Sequence, residues 1–206
     1  MDAAFITKCA DPSLAPAIVE RFVATAGAED PLAISVKADG RLILIPKPRA
    51  ASEALEVVRT YVGQAVVRVG ITQFPAGIGI ADASQLRSGI FEACENLRTG
   101  TALFAKVARI VTKWYGRPTN KELLPQMFDD AIDAWKTGAF EGSNVFSAED
   151  PGGPTFIGKA SGDAKPSPEP QQPAETEKEE SHQLNETDKP AEAGIRVDLS
   201  RITGQK

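Results

Sequence analysis

Carboxylates are the side chains through which this chain would have to run acid–base chemistry. Its only histidine, His182, lies in a Pro/Glu-rich stretch far from any apolar run. That placement argues against a histidine triad, a proton relay or a histidine metal site in the folded part. There is no P-loop and no Cys-x-x-Cys, and the glycines after Gln73 lack the spacing of a phosphate cradle. No cofactor and no metal is expected. The remaining acid–base chemistry is that of paired carboxylates, the tool of glycosidic bond cleavage. The candidates are Glu20, Glu29, Asp30 and Glu95. A catalytic acid needs a cleft that raises its pKa by burial. Glu20 falls on the polar side of a helix, Glu29 and Asp30 precede Pro31 as turn residues, and Glu95 suits the positive end of a helix dipole.

The elements that must position these groups follow from periodicity. Residues 11–26 read as a helix, with Ser13 as its cap, Leu14, Ile18, Phe22 and Val23 at helical spacing, and Gly27 as its stop. Two β-rich runs, 32–37 and 41–46, flank Asp39-Gly40, a hairpin signal. The run RLILIP in the second is apolar at four successive positions, so it should be well covered. A helix opens at Ser52 with Leu55, Val58 and Val62 on one face, and Gly63 ends it. A third β-like run covers 66–73. The longest helix is expected over 96–115, with a basic stripe of Lys106, Arg109 and Lys113 opposite its apolar face, a candidate docking surface. Another helix is expected over 120–137, with Glu122, Asp129 and Asp133 on its polar side, and Pro125 argues for a start later than Asn120.

From Asp150 the composition changes to Pro, Glu and Gly with few aliphatic residues, which cannot bury enough surface to offset ordering entropy. The expected organisation is therefore a folded domain over 1–148, a disordered linker over 149–194, and a short segment over 195–206, IRVDLSRITGQK, suited to ordering on a partner. The net charge of −5, with neither half basic, gives no nucleic-acid signal. No stretch approaches the roughly 18 apolar residues of a membrane span. The start MDAAFITKCADPSLAP has no secretory-signal pattern, which points to the cytoplasm. Cys9 and Cys94 can bridge only if the fold brings their Cα atoms within about 7 Å, and a bridge would point instead to an oxidising space such as the periplasm.

Four stretches taken in order carry a family resemblance: CADPSLAPAIVERFVATAGAEDPLAISV, EALEVVRTYVGQAVVRVGITQF, FEACENLRTGTALFAKVARIVTKWYG and AIDAWKTGAFEG. Over residues 9–142 the chain resembles the specialised lytic transglycosylases of type IV secretion systems, which are similar to goose-type lysozymes. With its EDPGGPT boundary it further resembles conjugal transfer proteins of tumour-inducing and symbiotic plasmids. The resemblance implies an α+β fold: a mostly helical, lysozyme-like domain with a small antiparallel sheet, followed by a disordered C-terminal tail. It implies that Cys9 and Cys94 occupy the family's paired positions and that Asn96 is structural. The family's Gly-Leu-Met-Gln becomes Gly70-Ile71-Thr72-Gln73, and its Tyr-Asn-Thr-Gly becomes Trp135-Lys136-Thr137-Gly138. Thr72, Gln73, Trp135 and Lys136 are thereby expected in a cleft.

The family's catalytic glutamate falls at Ala26, followed by Gly27. Alanine can neither donate nor accept a proton, and losing the general acid removes on the order of 10² to 10⁴ in rate. Glu29, three residues on, is the nearest substitute. The expected function is a non-catalytic accessory of plasmid conjugal transfer that acts with other conjugation and type IV secretion proteins and with peptidoglycan. The alternative is an active peptidoglycan lytic transglycosylase.

Overall fold

The structure, a computed structural model, describes residues 1–155. The expected linker and partner-binding peptide fall almost wholly on 156–206, outside the described residues. The chain opens with α1 (Ala3–Cys9), capped by the Asp2 carboxylate, which accepts from the Ala4 N–H. Next comes α2 (Pro16–Ala26), whose first position is Pro16. This corrects the start placed at residue 11. Ser13 does not cap the helix; its N–H and hydroxyl both donate to the Asp11 carboxylate in the preceding turn. Proline at the first helical position loses no hydrogen bond, so it sets the boundary.

The hairpin β1 (Ile34–Ala38) and β2 (Arg41–Ile43) turns on Asp39 and Gly40 at φ 49° and 78°. The twist of such a turn matches that of the strands it joins. β3 (Val66–Val69) and β4 (Phe74–Pro75) complete an antiparallel sheet of order β2-β1-β3-β4. The run over 66–73 is therefore not one strand. It breaks at Gly70, doubles back through a turn closed by the Gln73 N–H on the Gly70 carbonyl, and returns as β4.

The expectation that RLILIP is covered also fails. Ile43 and Ile45 pack inward, but Leu42 is 66% and Leu44 92% exposed. α3 covers only one face of the sheet, and along this run Ile43 and Ile45 point to that core while Leu42 and Leu44 alternate away from it.

Between β2 and β3 runs α3 (Ala51–Tyr61), and after two short 3₁₀ turns comes α4 (Ala93–Trp114). Then α5 (Leu124–Thr137) begins at a 3₁₀ turn beside Pro125 and ends on Gly138 at φ 78°. A two-stranded ribbon, β5 (Ala139–Phe140) and β6 (Ser143–Asn144), follows. The chain then straps back across α4. Lys106 donates to the Phe146 carbonyl at 3.0 Å, the Arg109 guanidinium forks onto Asp150, and the Thr155 hydroxyl donates to the Ser13 carbonyl at 2.8 Å. The packed body thus runs through Thr155.

Two apolar cores result. One lies among α1, α2, α4 and α5, with Phe22 stacked on Phe104 at 4.0 Å between centroids and Trp135 set edge-on against both. The other lies between α3 and one face of the sheet, built from Ala54, Leu55, Val58, Val36, Val67 and Val69. The turn between β3 and β4 joins them, with Val69 in the second core and Ile71 in the first.

Candidate binding cleft

Strand alternation builds the floor. Val36, Val67 and Val69 face α3, so Ser35, Lys37 and Arg68 must face the other way. Register then sets them side by side, Ser35 opposite Arg68 and Lys37 between Leu42 and Val66. The far wall comes from the ends of two helices, Ala26 of α2 and Trp135 with Lys136 of α5. Together with Gln73 these residues line a cleft of 190 Å³.

A buried polar latch fixes the floor to α4. Asn96 is buried and uses its whole amide. Its Oδ1 accepts from the Thr72 N–H at 2.9 Å and the Thr72 hydroxyl at 2.7 Å; its Nδ2 donates to the carbonyls of Val69 at 3.1 Å and Ile90 at 2.9 Å. Gly70 sits at φ 71°, and a Cβ there would lie 2.2 Å from Asn96 Nδ2. The latch therefore needs glycine for both conformation and space. Gly27 is required for a related reason. A Cβ there would lie 2.2 Å from the Ile71 carbonyl oxygen, to which the Ala28 N–H donates at 3.0 Å.

Thr72 is 0% exposed and belongs to this latch. It is not part of the cleft surface, a correction to its expected place. Gln73 does line the cleft. It adopts φ 51°, a conformation costing about 1 kcal/mol outside glycine. Three contacts hold it there: Ser35 Oγ donates to its Oε1 at 2.8 Å, its Nε2 donates to the Gly70 carbonyl at 3.0 Å, and its own carbonyl accepts from Arg68 at 3.1 Å.

Arg68, absent from the sequence candidates, is the central polar group. Its guanidinium donates to the carbonyls of Gln73, Trp135 and Lys136 and lies 5.8 Å from the Trp135 ring centre. Burial alone pulls its pKa down to about 10. One signal marked it in the sequence, a cation inside the apolar strand Val66-Val67-Arg68-Val69. Trp135 is fully buried, so its ring serves the helical core and only its margin reaches the cleft. Lys136 is exposed on the rim. Among the described residues, none of Lys37, Arg68 and Lys136 has a carboxylate within salt-bridge distance, and no lining residue is acidic.

The carboxylate candidates lie elsewhere. Glu29 and Glu20 are exposed and line a separate concavity of 640 Å³ with Val23, Gly27 and Ile71. Glu29 is not brought to the cleft that Ala26 lines. Asp30 closes its own turn through the Leu32 N–H at 2.9 Å and pairs with Lys47 at 2.8 Å, which holds its carboxyl below the usual range. Glu95 is an exposed partner of Arg98 at 3.3 Å. Cys9 and Cys94 are bonded, with Cα atoms 5.1 Å apart, and tie α1 to the first turn of α4. The basic stripe expected as a docking surface is mostly engaged, since Lys106 and Arg109 hold the strap and only Lys113 is exposed.

Chemically, the cleft offers hydrogen-bond donors and positive charge and, among the described residues, no carboxylic acid to protonate a leaving oxygen. Comparison with known proteins adds a family-level finding. A model of the family TraH_2 matches residues 1–204. The chain is 53% identical over 205 residues to the uncharacterized protein y4dP of Sinorhizobium fredii (strain NBRC 101917 / NGR234), covering 99% of each. No solved structure matches.

Proposed function

The chain belongs to the TraH_2 family of conjugal-transfer-related proteins, and on that premise we propose that it is a non-catalytic, transglycosylase-like module that binds a component of the type IV transfer machinery through the cleft. The observation that carries this reading is the cleft's lining: Ala26 stands at the position where the resemblance expects a general acid, and among the described residues no lining residue is acidic. General acid catalysis needs a proton donor within hydrogen-bond reach of the leaving group. Arg68 does not substitute, because a guanidinium with a pKa of about 10 holds its proton at neutral pH. The bridge between Cys9 and Cys94 favours work in an oxidising space, and the proposed location is the periplasmic side of the transfer apparatus.

The test is a zymogram on purified peptidoglycan. The expected result is no clearing by the wild-type chain. A second reading, an active lytic transglycosylase, draws on Glu20 and Glu29 sharing one 640 Å³ concavity. Clearing that disappears in Glu29→Gln would establish that reading and overturn the first. Thiol labelling of the protein in its native cell tests the compartment, and reactive Cys9 and Cys94 would place it in a reducing one.

A further inference from the structure

We propose that the cleft receives a carboxylate from an acidic, aliphatic-flanked peptide segment of a partner protein, with Arg68 as the counter-charge and Lys37 and Lys136 as cations at the mouth. This rests on reading the cleft as a binding site, and it specifies the ligand.

Charge complementarity is the first argument. Three cations surround 190 Å³ of space, and among the described residues no carboxylate pairs with any of them. Arg68 is the most telling of the three. It has given up much of its water, yet among the described residues its hydrogen bonds go only to neutral carbonyls. A desolvated charge without a counterion is unfavourable, and a ligand carboxylate would relieve it. Ala26, with its single methyl group, leaves the facing wall open for such a group.

Size and rim chemistry select a peptide. Sites for whole small molecules occupy roughly 300–1,000 Å³, so 190 Å³ suits an inserted side chain rather than a run of sugar rings. The exposed apolar residues on this side are the aliphatic Leu42 and Val66, with Leu44 just beyond. The one aromatic residue lining the cleft, Trp135, is fully buried and presents no face for a sugar to stack on. β2 is the outermost strand of its sheet, so among the described residues its outer edge is unpaired beside this rim. An extended segment can lie along such an edge while its alternate side chains fill the neighbouring pockets.

Fluorescence polarisation on the full chain tests this with labelled synthetic peptides in which Leu or Val alternates with Glu, each matched by a Gln twin. At low salt the Glu peptides are expected to bind at least roughly tenfold more tightly, the scale of one charge-assisted hydrogen bond. Lys37→Glu and Lys136→Glu alter exposed side chains that the fold does not need, and each should weaken the Glu peptides several-fold. Ala26→Glu, which places the protein's own carboxylate in the cleft, should abolish binding. Equal affinity for Glu and Gln peptides, no binding of either, or indifference to Lys136→Glu overturns the proposal. So does an uncharged chitooligosaccharide that binds more tightly and competes at the same site. A clearing zymogram with the Glu preference intact would remove the non-catalytic reading and leave this one standing.

Discussion

Replacing Asn96 by aspartate changes one atom in a packed site and should make stability depend on pH in a way the wild type does not. The side-chain volume is conserved, so no cavity contributes. The oxygen facing Thr72 still accepts from its N–H and hydroxyl, but the former Nδ2 position now meets two carbonyl oxygens, of Val69 and Ile90. If the new carboxyl is protonated, it donates to one of them and orphans the other, which costs roughly 1–3 kcal/mol. Keeping it protonated at pH 7, against an unfolded value near 3.9, adds up to about 4 kcal/mol at ~1.36 kcal/mol per pH unit. The folded-state pKa is raised, so the stability tied to protonation is fully present below about pH 3.9 and is lost as pH rises through the folded value. Urea unfolding of wild type and Asn96→Asp at pH 4 and pH 7 measures the difference. The expected loss is roughly 1–3 kcal/mol at the lower pH and several kcal/mol more at the higher. A loss under about 1 kcal/mol at both would refute the reasoning, because it would mean the latch does not bear on folding.

Two further outcomes follow from the ties that hold the ends of the fold. The bridge between Cys9 and Cys94 spans a sequence separation of 85, for which the chain-entropy relation gives roughly 4–5 kcal/mol. Dithiothreitol should then lower Tm by roughly 8–20 °C, and a fall under about 2 °C in calorimetry would count against the bond. Arg109 holds the Asp150 carboxyl below its ordinary 3.8. Its stabilisation is therefore present above about pH 3.8 and fades as pH falls through the lowered value. Thermal unfolding of wild type against Asp150→Asn should show a gap that narrows only in that acid range, and a gap unchanged at pH 2 would dismiss the strap as a pH-sensitive contact.

What could be read from the sequence was local. Asp39-Gly40 announced its hairpin because only a few residue types accept two successive positive φ values. The amphipathic faces of α4 and α5 stood out because 22 and 14 residues give periodicity room to show. At the site, the failures concern partners distant along the chain. VGITQF is apolar enough to read as a strand, and the break at Gly70 depends on Asn96, 26 residues further on. Thr72 looked available because the amide that buries it lies on another element. Lys106 and Arg109 had the spacing of a solvated stripe, yet Phe146 and Asp150 return to cover them. Arg68 was visible as a cation among valines, but its role waited on the ends of α2 and α5, which no local pattern brings together. The seven residues of α1 (Ala3–Cys9) were too few to show a period.

The bridge between α1 and α4 also sets how force would travel through the molecule. A pull on the N-terminus passes from Cys9 directly to Cys94, leaving the hairpins, α3 and the cleft floor slack inside a closed ring. At about 3.3–3.6 Å per residue, a separation of 85 residues withholds close to 300 Å of extension that the reduced chain would release. A ring of that size cannot be drawn out to single file. Passage as a single extended strand is therefore open only to the reduced chain.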